Sequence, residues 1–131
     1  MSKRVAGERF AGFLPERVAI DTYGAGGFRF RDMSHRGSLL VLSDGMHAWE
    51  AAPDRPPDEH LLVALAARIA APEFLIVGTG RAQHFPSAAV RRAFAEAGLA
   101  IDVMDTGAAC RTYNVLLGEQ RPVAAAFVAV E

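Results

Sequence analysis

The chain has 131 residues, 51% of them hydrophobic and 22% charged, with a formal net charge of -1 at pH 7. This composition is that of a single compact domain and excludes an intrinsically disordered chain. The near-neutral charge excludes the basic excess that attracts nucleic acid or an anionic membrane, so we expect neither partner. No apolar run approaches the roughly 20 residues that a membrane-spanning helix requires, so we expect no membrane insertion.

The N-terminal stretch, residues 1–17, mixes charged residues with isolated apolar ones and has no clean period. We interpret it as a loosely ordered arm, since it also lacks the apolar centre of a secretory signal. The chain holds a single cysteine, which excludes an internal disulfide framework and fits a reducing compartment. Together these features favour a cytoplasmic protein.

Residues 18–52 predict a β-rich half made of two hairpins. In the first, Val18–Tyr23 and Phe28–Arg31 flank a glycine cluster that suits a turn with positive φ. The alternation of phenylalanine and arginine in the second strand sends the rings to one face and Arg29 and Arg31 to the other. We interpret the two arginines as a solvated sheet face.

The second hairpin has a clearer turn signal. Ser38–Ser43 and Met46–Ala51 are joined by Asp44-Gly45, a pair that favours a tight type I′ turn. Trp49 lies in the return strand, where a tryptophan is more typical of a core anchor than of a ligand platform. We therefore place Trp49 in the core.

Residues 53–57 form a proline-rich link that cannot continue a sheet, and they join the β-rich half to an α/β half, residues 58–131. Asp58 is a predicted N-cap for the first helix of that half. The apolar stripe of this helix follows residues four positions apart, Leu61, Leu65 and Ile69.

The α/β half then alternates strands and helices. The predicted elements are a strand Glu73–Val77, a loop Gly78–Pro86, a helix Ser87–Ala97, a strand Ala100–Met104, a helix from Asp105-Thr106-Gly107 to Gly118, and a strand Val123–Val130. This βαβαβ order predicts an α/β fold whose sheet is at least partly parallel, with right-handed crossovers. We expect one domain over residues 1–131.

The sequence Gly78-Thr79-Gly80 at the end of the central strand invites comparison with a dinucleotide-binding fingerprint. That fingerprint needs a third glycine three residues after the second, and a helix that begins inside the motif. Gln83 occupies the required position, and Pro86 delays the helix. We therefore expect no nucleotide cofactor and interpret the glycines as a wide loop that needs their backbone freedom.

Polar groups nevertheless follow two strands that we expect to be neighbours, and ligands of open α/β sheets bind at the carboxyl ends of strands. The candidate ligand-binding residues of this crevice are Gly78, Thr79, Gly80, Arg81, His84, Asp105, Thr106, Cys110 and Arg111. Thr106 is a predicted N-cap, and Asp105 favours the positive end of the helix dipole, so capping alone explains both residues. The Asp105 carboxylate opposes anion binding unless Arg81 or Arg111 outweighs it.

Cys110, in the first turn of the second of these helices, has two interpretations. A helix N-terminus lowers the pKa of a thiol, and papain-like chemistry would then need a histidine, for which His84 is the candidate. The favoured interpretation is a small apolar residue packed beneath the sheet edge. The four histidines show no metal-ligand spacing, so we expect no metal site and assign no catalytic residue.

Several motifs, taken together, resemble those of a known family. They are Leu75-Ile76-Val77-Gly78-Thr79-Gly80, Pro86 with Val90-Arg91, Gly98-Leu99, Asp105-Thr106 with Ala109-Cys110-Arg111-Thr112-Tyr113-Asn114, and, further forward, Phe28-Arg29-Phe30 and His35-Arg36-Gly37-Ser38. With these motifs the chain resembles the domain of unknown function 498 family. Its eukaryotic relatives include the mitochondrial complex I assembly factor 3 and an adipogenesis-associated domain protein.

The resemblance implies a three-layer β/α domain with a mixed central sheet and no established enzymatic activity. It also implies that some eukaryotic members work by binding other proteins. We therefore favour a non-enzymatic protein-interaction or assembly-type module with protein partners. The alternative is a small-molecule-binding protein or enzyme that uses the crevice between the Gly78–Gly80 loop and the Asp105–Gly107 helix start. Self-association is open under both hypotheses.

Overall fold

The computed structural model describes residues 12–131. Within that range the chain forms eight β-strands and three α-helices, and none of these helices is both long and apolar enough to cross a bilayer. In chain order the elements are β1 (Thr22–Gly24), β2 (Gly27–Phe30), β3 (Met33–Arg36), β4 (Ser38–Leu42), β5 (Gly45–Trp49), α1 (Glu59–Leu65), β6 (Phe74–Gly78), α2 (Ala88–Glu96), β7 (Ile101–Met104), α3 (Thr106–Gly118) and β8 (Val123–Phe127).

Five strands form a mixed central sheet in the order β5-β4-β8-β6-β7. β6 lies inside this sheet and runs parallel to both neighbours, with Ile76 opposite Ala125 of β8 and Asp102 of β7. β4 pairs antiparallel with β5 and with β8. The predicted α/β fold with a mixed central sheet is confirmed.

Apolar side chains cover both faces of the central sheet, which gives three layers. On one face, Leu75 and Val77 pack in a core with Phe94 of α2 and with α1. On the other face, Ile76 packs in a second core with Tyr113 of α3 and with the smaller sheet. A strand buried on both faces needs apolar residues at consecutive positions, and β6 supplies them.

The predicted second hairpin is confirmed. β4 and β5 are joined by a tight turn in which Leu42 pairs with Gly45. Trp49 is 5% exposed and belongs to the core on the α1 and α2 face, as expected. The predicted type I′ turn at Asp44-Gly45 is wrong, however. The two residues between Leu42 and Gly45 are Ser43 and Asp44, and neither has the positive φ that a type I′ turn requires; only Gly45, with a φ of 133°, uses the conformational freedom of glycine.

The first predicted hairpin is present, since β1 pairs antiparallel with β2 across the glycine cluster, but the structure extends it by a third strand. β1, β2 and β3 form a separate antiparallel sheet, and the sequence patterns predicted no strand at β3. The turn between β2 and β3 is made by Arg31 and Asp32, both with positive φ (47° and 59°). Arginine is an uncommon residue in that conformation, so the turn carries no sequence signal.

The predicted first strand, Val18–Tyr23, begins only at Thr22. Val18 and Ile20 are buried, but side chains of α3 hold their backbone. The Tyr113 hydroxyl donates to the Val18 carbonyl oxygen, and the Asn114 side chain accepts from the Ile20 amide and donates to its carbonyl, each at 2.8 Å. The backbone of Val18 and Ile20 therefore bonds to helix side chains, where the prediction had a neighbouring strand.

The helices begin close to their predicted positions. Asp58 precedes α1, although its side chain makes no capping hydrogen bond. Ser87 caps α2 and accepts from the Val90 amide at 3.3 Å. α1 ends at Leu65, but Ile69 is also buried, so the predicted apolar stripe continues beyond the end of the helix.

Both outer strands of the central sheet carry contacts on their open sides. At β5, the Met46 amide donates to the Leu14 carbonyl oxygen at 3.0 Å. At β7, the Gln83 side-chain amide donates to the Val103 carbonyl oxygen at 2.9 Å. Such contacts satisfy backbone groups that would otherwise be available for pairing with another sheet.

Residues 1–11 of the predicted arm lie outside the described residues. Of the remainder, Arg17 donates from Nη1 to the Val123 carbonyl oxygen at 2.6 Å and lies 3.5 Å from the Glu73 carboxylate. These contacts fix the end of the predicted arm against β8, so residues 12–17 belong to the folded domain.

Candidate functional site

The two loops of the predicted crevice open at the same edge of the central sheet. The Thr79 amide donates to the Met104 carbonyl oxygen at 2.9 Å, and the Thr106 amide donates to the Gly80 carbonyl oxygen at 2.8 Å. β6 and β7 are parallel neighbours, so their carboxyl ends meet there. The geometric condition for a shared crevice is therefore met.

Close packing of α3 on β6 explains the first glycine of this loop. A Cβ atom at Gly78 would lie 2.9 Å from the Thr106 Cα and 3.0 Å from the Ala109 Cβ. A backbone atom cannot move aside as the end of a side chain can. Glycine at this position therefore sets how closely the helix approaches the strand, rather than a site for phosphate.

The Thr106 hydroxyl is buried and bonded on both sides. It donates to the Val128 carbonyl oxygen at 2.8 Å and accepts from the Gly80 amide at 3.0 Å. Thr106 is fully buried. It is therefore a structural link between α3, β6 and the segment after β8, and it presents no group to a ligand.

Thr79 has a similar role in the loop. Its hydroxyl donates to the Ala82 carbonyl oxygen at 2.6 Å and accepts from the His84 amide at 3.1 Å. Only 2% of the residue is exposed. The threonine thus shapes the loop and does not line the crevice.

The predicted N-cap of α3 is wrong by one residue. Asp105 is the N-cap, with an extended backbone (φ -62°, ψ 159°), and its Oδ1 accepts from the Ala108 amide at 2.9 Å. Thr106 is the first residue of the helix. Aspartate and threonine are both good caps, so their order in the sequence could not decide between them.

A small cavity of about 220 Å³ lies where the two loops meet. It is lined by Tyr23, Gly80, Arg81, Asp105, Gly107 and Val130. Arg81 is anchored, since it donates to Asp54 Oδ1 at 3.0 Å and to the Glu131 carbonyl oxygen at 2.7 Å. Of the predicted site residues, the cavity brings together Gly80, Arg81 and Asp105.

Tyr23 completes this cavity and was not among the predicted site residues. Its hydroxyl lies against Gly107, where a Cβ atom would clash with the phenol oxygen. The side chain comes from β1, in the smaller sheet, and no local pattern in the sequence connects β1 with the start of α3.

His84 and Arg111 do not join the crevice cavity. His84 lines a separate groove of about 190 Å³ together with Pro56, Leu62 and Phe85. Arg111 is exposed on α3 and does not line the cavity. The predicted convergence is thus limited to residues at the immediate ends of β6 and β7.

Cys110 belongs to the core. It is 4% exposed and packs in the cluster that contains Ile76 and Tyr113. Burial raises the pKa of the thiol to about 12, an effect that the nearby Arg111 charge only partly opposes. The thiol is therefore protonated at neutral pH, which supports the apolar interpretation over an activated thiolate.

Within residues 12–131, no group of three or more His, Cys, Asp or Glu side chains is arranged to hold a metal ion. The same part of the chain contains two surface features that the sequence patterns did not single out. One is a cavity of about 550 Å³ on the three-stranded sheet, and the other is the ring of Phe85, which is 77% exposed.

Residues 20–128 match the profile of a family described as protein of unknown function, DUF498/DUF598. The chain belongs to this family. The resemblance found in its motifs is thereby confirmed, and the match leaves out little of the DUF498 chain beyond the N-terminal 19 residues. The family description itself assigns no activity.

Named relatives of the DUF498 chain come from bacteria and from animals. An uncharacterised protein of Rhodobacter capsulatus is 36% identical over 91% of this chain and 87% of its own length. The NADH dehydrogenase (ubiquinone) 1 alpha subcomplex assembly factor 3 of Mus musculus is 31% identical over 88% of this chain. This chain spans 62% of the mouse protein.

A solved structure shares the fold. A protein described as an outer membrane protein from Bartonella henselae has 40% sequence identity and a TM-score of 0.78, over 91% of this chain and 100% of that one. The three-layer arrangement is thus that of a solved relative.

Proposed function

We propose that this chain is a non-enzymatic protein-binding module of the assembly-factor type. Relatives that match 88% of this chain are named NADH dehydrogenase (ubiquinone) 1 alpha subcomplex assembly factor 3. The predicted catalytic alternative loses its nucleophile, because Cys110 is buried and protonated. A cytoplasmic location and self-association remain predictions.

The observation that carries this proposal is the exposure of Phe85. Its side chain is 77% exposed, and the residue lines the groove that also contains Pro56, Pro57 and Pro86. Exposed aromatic rings beside apolar grooves are typical anchors of protein interfaces, where burial of the ring contributes to binding. We infer that the partner contacts this groove.

Crosslinked affinity capture from the native cell tests this proposal. Wild-type chain is compared with Phe85→Ser, and the captured proteins are identified by mass spectrometry. We expect a specific partner that Phe85→Ser loses, and NADH dehydrogenase subunits among the captured proteins would extend the role of the relatives to this chain.

Val115→Ser is the matched control. Val115 is 59% exposed but lies on α3, whose layer is on the opposite face of the central sheet from the groove. Both substitutions remove an exposed apolar side chain, and only one touches the groove. Capture of the same proteins by wild type and Phe85→Ser would contradict the proposal.

A second candidate function is small-molecule binding in the crevice. It is favoured by one observation, the presence of a cation and a carboxylate, Arg81 and Asp105, in the wall of the same cavity. A thermal-shift screen of a metabolite library on wild type and Asp105→Asn tests it. Asparagine keeps the helix cap, so a stabilising compound lost in the variant would report the carboxylate rather than the fold.

A further inference from the structure

A cavity among the described residues lies on the three-stranded sheet. It shares Tyr23 with the crevice cavity and shares no residue with the Phe85 groove. Its volume is about 550 Å³, within the usual range of small-molecule sites. Its walls include Thr22, Tyr23, Phe28, Arg29, Ser34 and Arg36.

Strand register places the polar residues of this cavity on one face. Arg29 lies opposite Ser34, and Gly27 lies opposite Arg36, in the pairing of β2 with β3. Because side chains alternate along a strand, these four residues share the face opposite Phe28. Gly27 has no side chain, so bare backbone separates the two arginines. We call Arg29, Ser34 and Arg36 the arginine face.

The arginine face has positive charge and no carboxylate in its cavity wall. Arg29 donates from Nη1 to the Ser34 hydroxyl at 2.7 Å, which holds its guanidinium across the sheet. Arg36 makes neither an ion pair nor a side-chain hydrogen bond with any other residue of the 12–131 range. Both guanidiniums therefore keep donors that the fold does not use.

Two other arginines of the described chain are held by carboxylates. Arg31 contacts the Glu16 carboxylate at 3.1 Å, and Arg81 contacts that of Asp54 at 3.0 Å. Glu131 brings a carboxylate to the same side of Gly26 as the Arg36 guanidinium. Both approach Gly26, at 3.2 Å and 3.3 Å from the position of a Cβ atom there, but they do not form an ion pair. Glu131 is thus a competitor for Arg36 rather than a fixed partner.

We propose that the arginine face binds the oxyanion group, a phosphate or a carboxylate, of a small organic molecule. A guanidinium presents paired N–H donors that match these groups, and two of them across a sheet can hold one anion from both sides. Thr22 lies opposite Arg29 in the pairing of β1 with β2 and lines the same cavity, so its hydroxyl adds a further polar contact on the arginine face. The proposal does not depend on the protein-binding role.

Titration of the full chain with pyrophosphate and with citrate tests the proposal. Backbone amide shifts in heteronuclear NMR spectra are followed at low ionic strength, where screening is weak. We expect saturable shifts for residues 22–36 with at least one of the two probes. Pyrophosphate alone would indicate a phosphate ligand, and citrate alone would indicate a carboxylate ligand.

Substitutions separate a built site from diffuse attraction. Arg29→Gln and Arg36→Gln should each weaken binding about tenfold or more, since each removes charge-assisted hydrogen bonds. Arg31→Gln is the matched control, because it removes the same charge from the same sheet at a residue that is bonded to Glu16. Glu131→Gln should strengthen binding about twofold or more, since it removes the competing carboxylate.

Three results would overturn the proposal. The first is no saturable shift with either probe. The second is shifts outside residues 22–36. The third is an equal loss of affinity in Arg31→Gln and Arg36→Gln, which would indicate general electrostatic attraction only. Amide spectra of each variant without the probe show whether it is folded, so a loss of binding is not confused with unfolding.

Discussion

Two polar regions of this molecule differ in how far the fold has satisfied their hydrogen-bonding groups. In the crevice, the Thr106 hydroxyl both donates and accepts, Asp105 caps a helix, and Arg81 is bonded twice. On the arginine face, the guanidinium of Arg36 has no acceptor in the described part of the chain. The polar groups around the Gly78–Gly80 loop are therefore used by the fold itself. Strand β3, which has no such motif, carries the hydrogen-bond donors that are available to a ligand.

The largest expected effect concerns Cys110, which the sequence placed beside the crevice. With its pKa raised to about 12 from 9.0, the thiol should react with a maleimide at pH 8 on the order of a thousandfold more slowly than in the unfolded chain. Labelling with and without denaturant measures this. Rapid labelling of the folded chain would place Cys110 at an open site.

The same shift gives a pH dependence of stability. The unfolded thiol loses its proton near pH 9 and the folded thiol only near pH 12, so its contribution is complete below pH 9 and falls as the pH rises towards 12. Burial also raises the pKa of Tyr113, so that residue adds a decline of the same sign above pH 10. Cys110→Ala should remove the part that begins at pH 9 and leave that of Tyr113.

Thr106→Val should have the next largest effect, a loss of stability. The substitution keeps the shape of the side chain but removes a hydroxyl that makes two hydrogen bonds. The Gly80 amide and the Val128 carbonyl would be left buried without partners, at a cost of about 2–4 kcal/mol in the free energy of unfolding. Urea unfolding measures the loss. Thr112→Val is the control, since that hydroxyl makes no hydrogen bond within residues 12–131, and a loss as large in the control would contradict the role of Thr106.

Gly78→Ala should destabilise by about 1–3 kcal/mol, because the added methyl meets the backbone of α3. Gly107→Ala is the comparison in the same crevice. There the added methyl clashes with the end of the Tyr23 side chain, which can swing outwards, and touches Asp105 Oδ1 at an ordinary contact distance of 3.4 Å, while alanine favours the helix. The free energy of unfolding should then change by less than about 1 kcal/mol. An equal loss of stability in the two variants would contradict this difference, because it would mean that both glycines are required by close packing.

The smallest effect is expected on the arginine face. Arg29→Gln and Arg36→Gln should change the free energy of unfolding by less than about 0.5 kcal/mol, since neither guanidinium has a buried partner. Urea unfolding measures this alongside the anion titration. A loss comparable to that of Thr106→Val would show that these arginines are structural and would remove the contrast between the two regions.

The central sheet and its helices could be predicted because their signals are local. The apolar run of β6 and the spacing of Val90 and Phe94 each report burial within a few residues. Strand β3 could not be predicted, because the turn before it uses Arg31 and Asp32 with left-handed backbone angles. Because β3 was not predicted, the arginine face could not be predicted either, since it forms only when β2 and β3 pair.

The position of the crevice could be predicted, but the hydrogen bonds and the lining of the crevice could not. The parallel order of β6 and β7 follows from the βαβ pattern, so Gly80 and Asp105 were expected to meet. The direction of the Thr106 hydroxyl depends on Val128, a residue far along the chain, and no sequence spacing reports it. Tyr23 at the same cavity is a similar case, since it comes from the smaller sheet.

The position of β8 has a consequence for how this protein is made. β8 is the last strand in chain order, yet it lies between β4 and β6 at the middle of the central sheet. As the polypeptide leaves the ribosome, β4 and β6 are synthesised before β8 and each has one side unpaired until β8 follows. Closing the long loop between β4 and β8 slows folding. Pulse-labelling during refolding should show the amides of β4 and β6 gaining protection together with those of β8, not ahead of them.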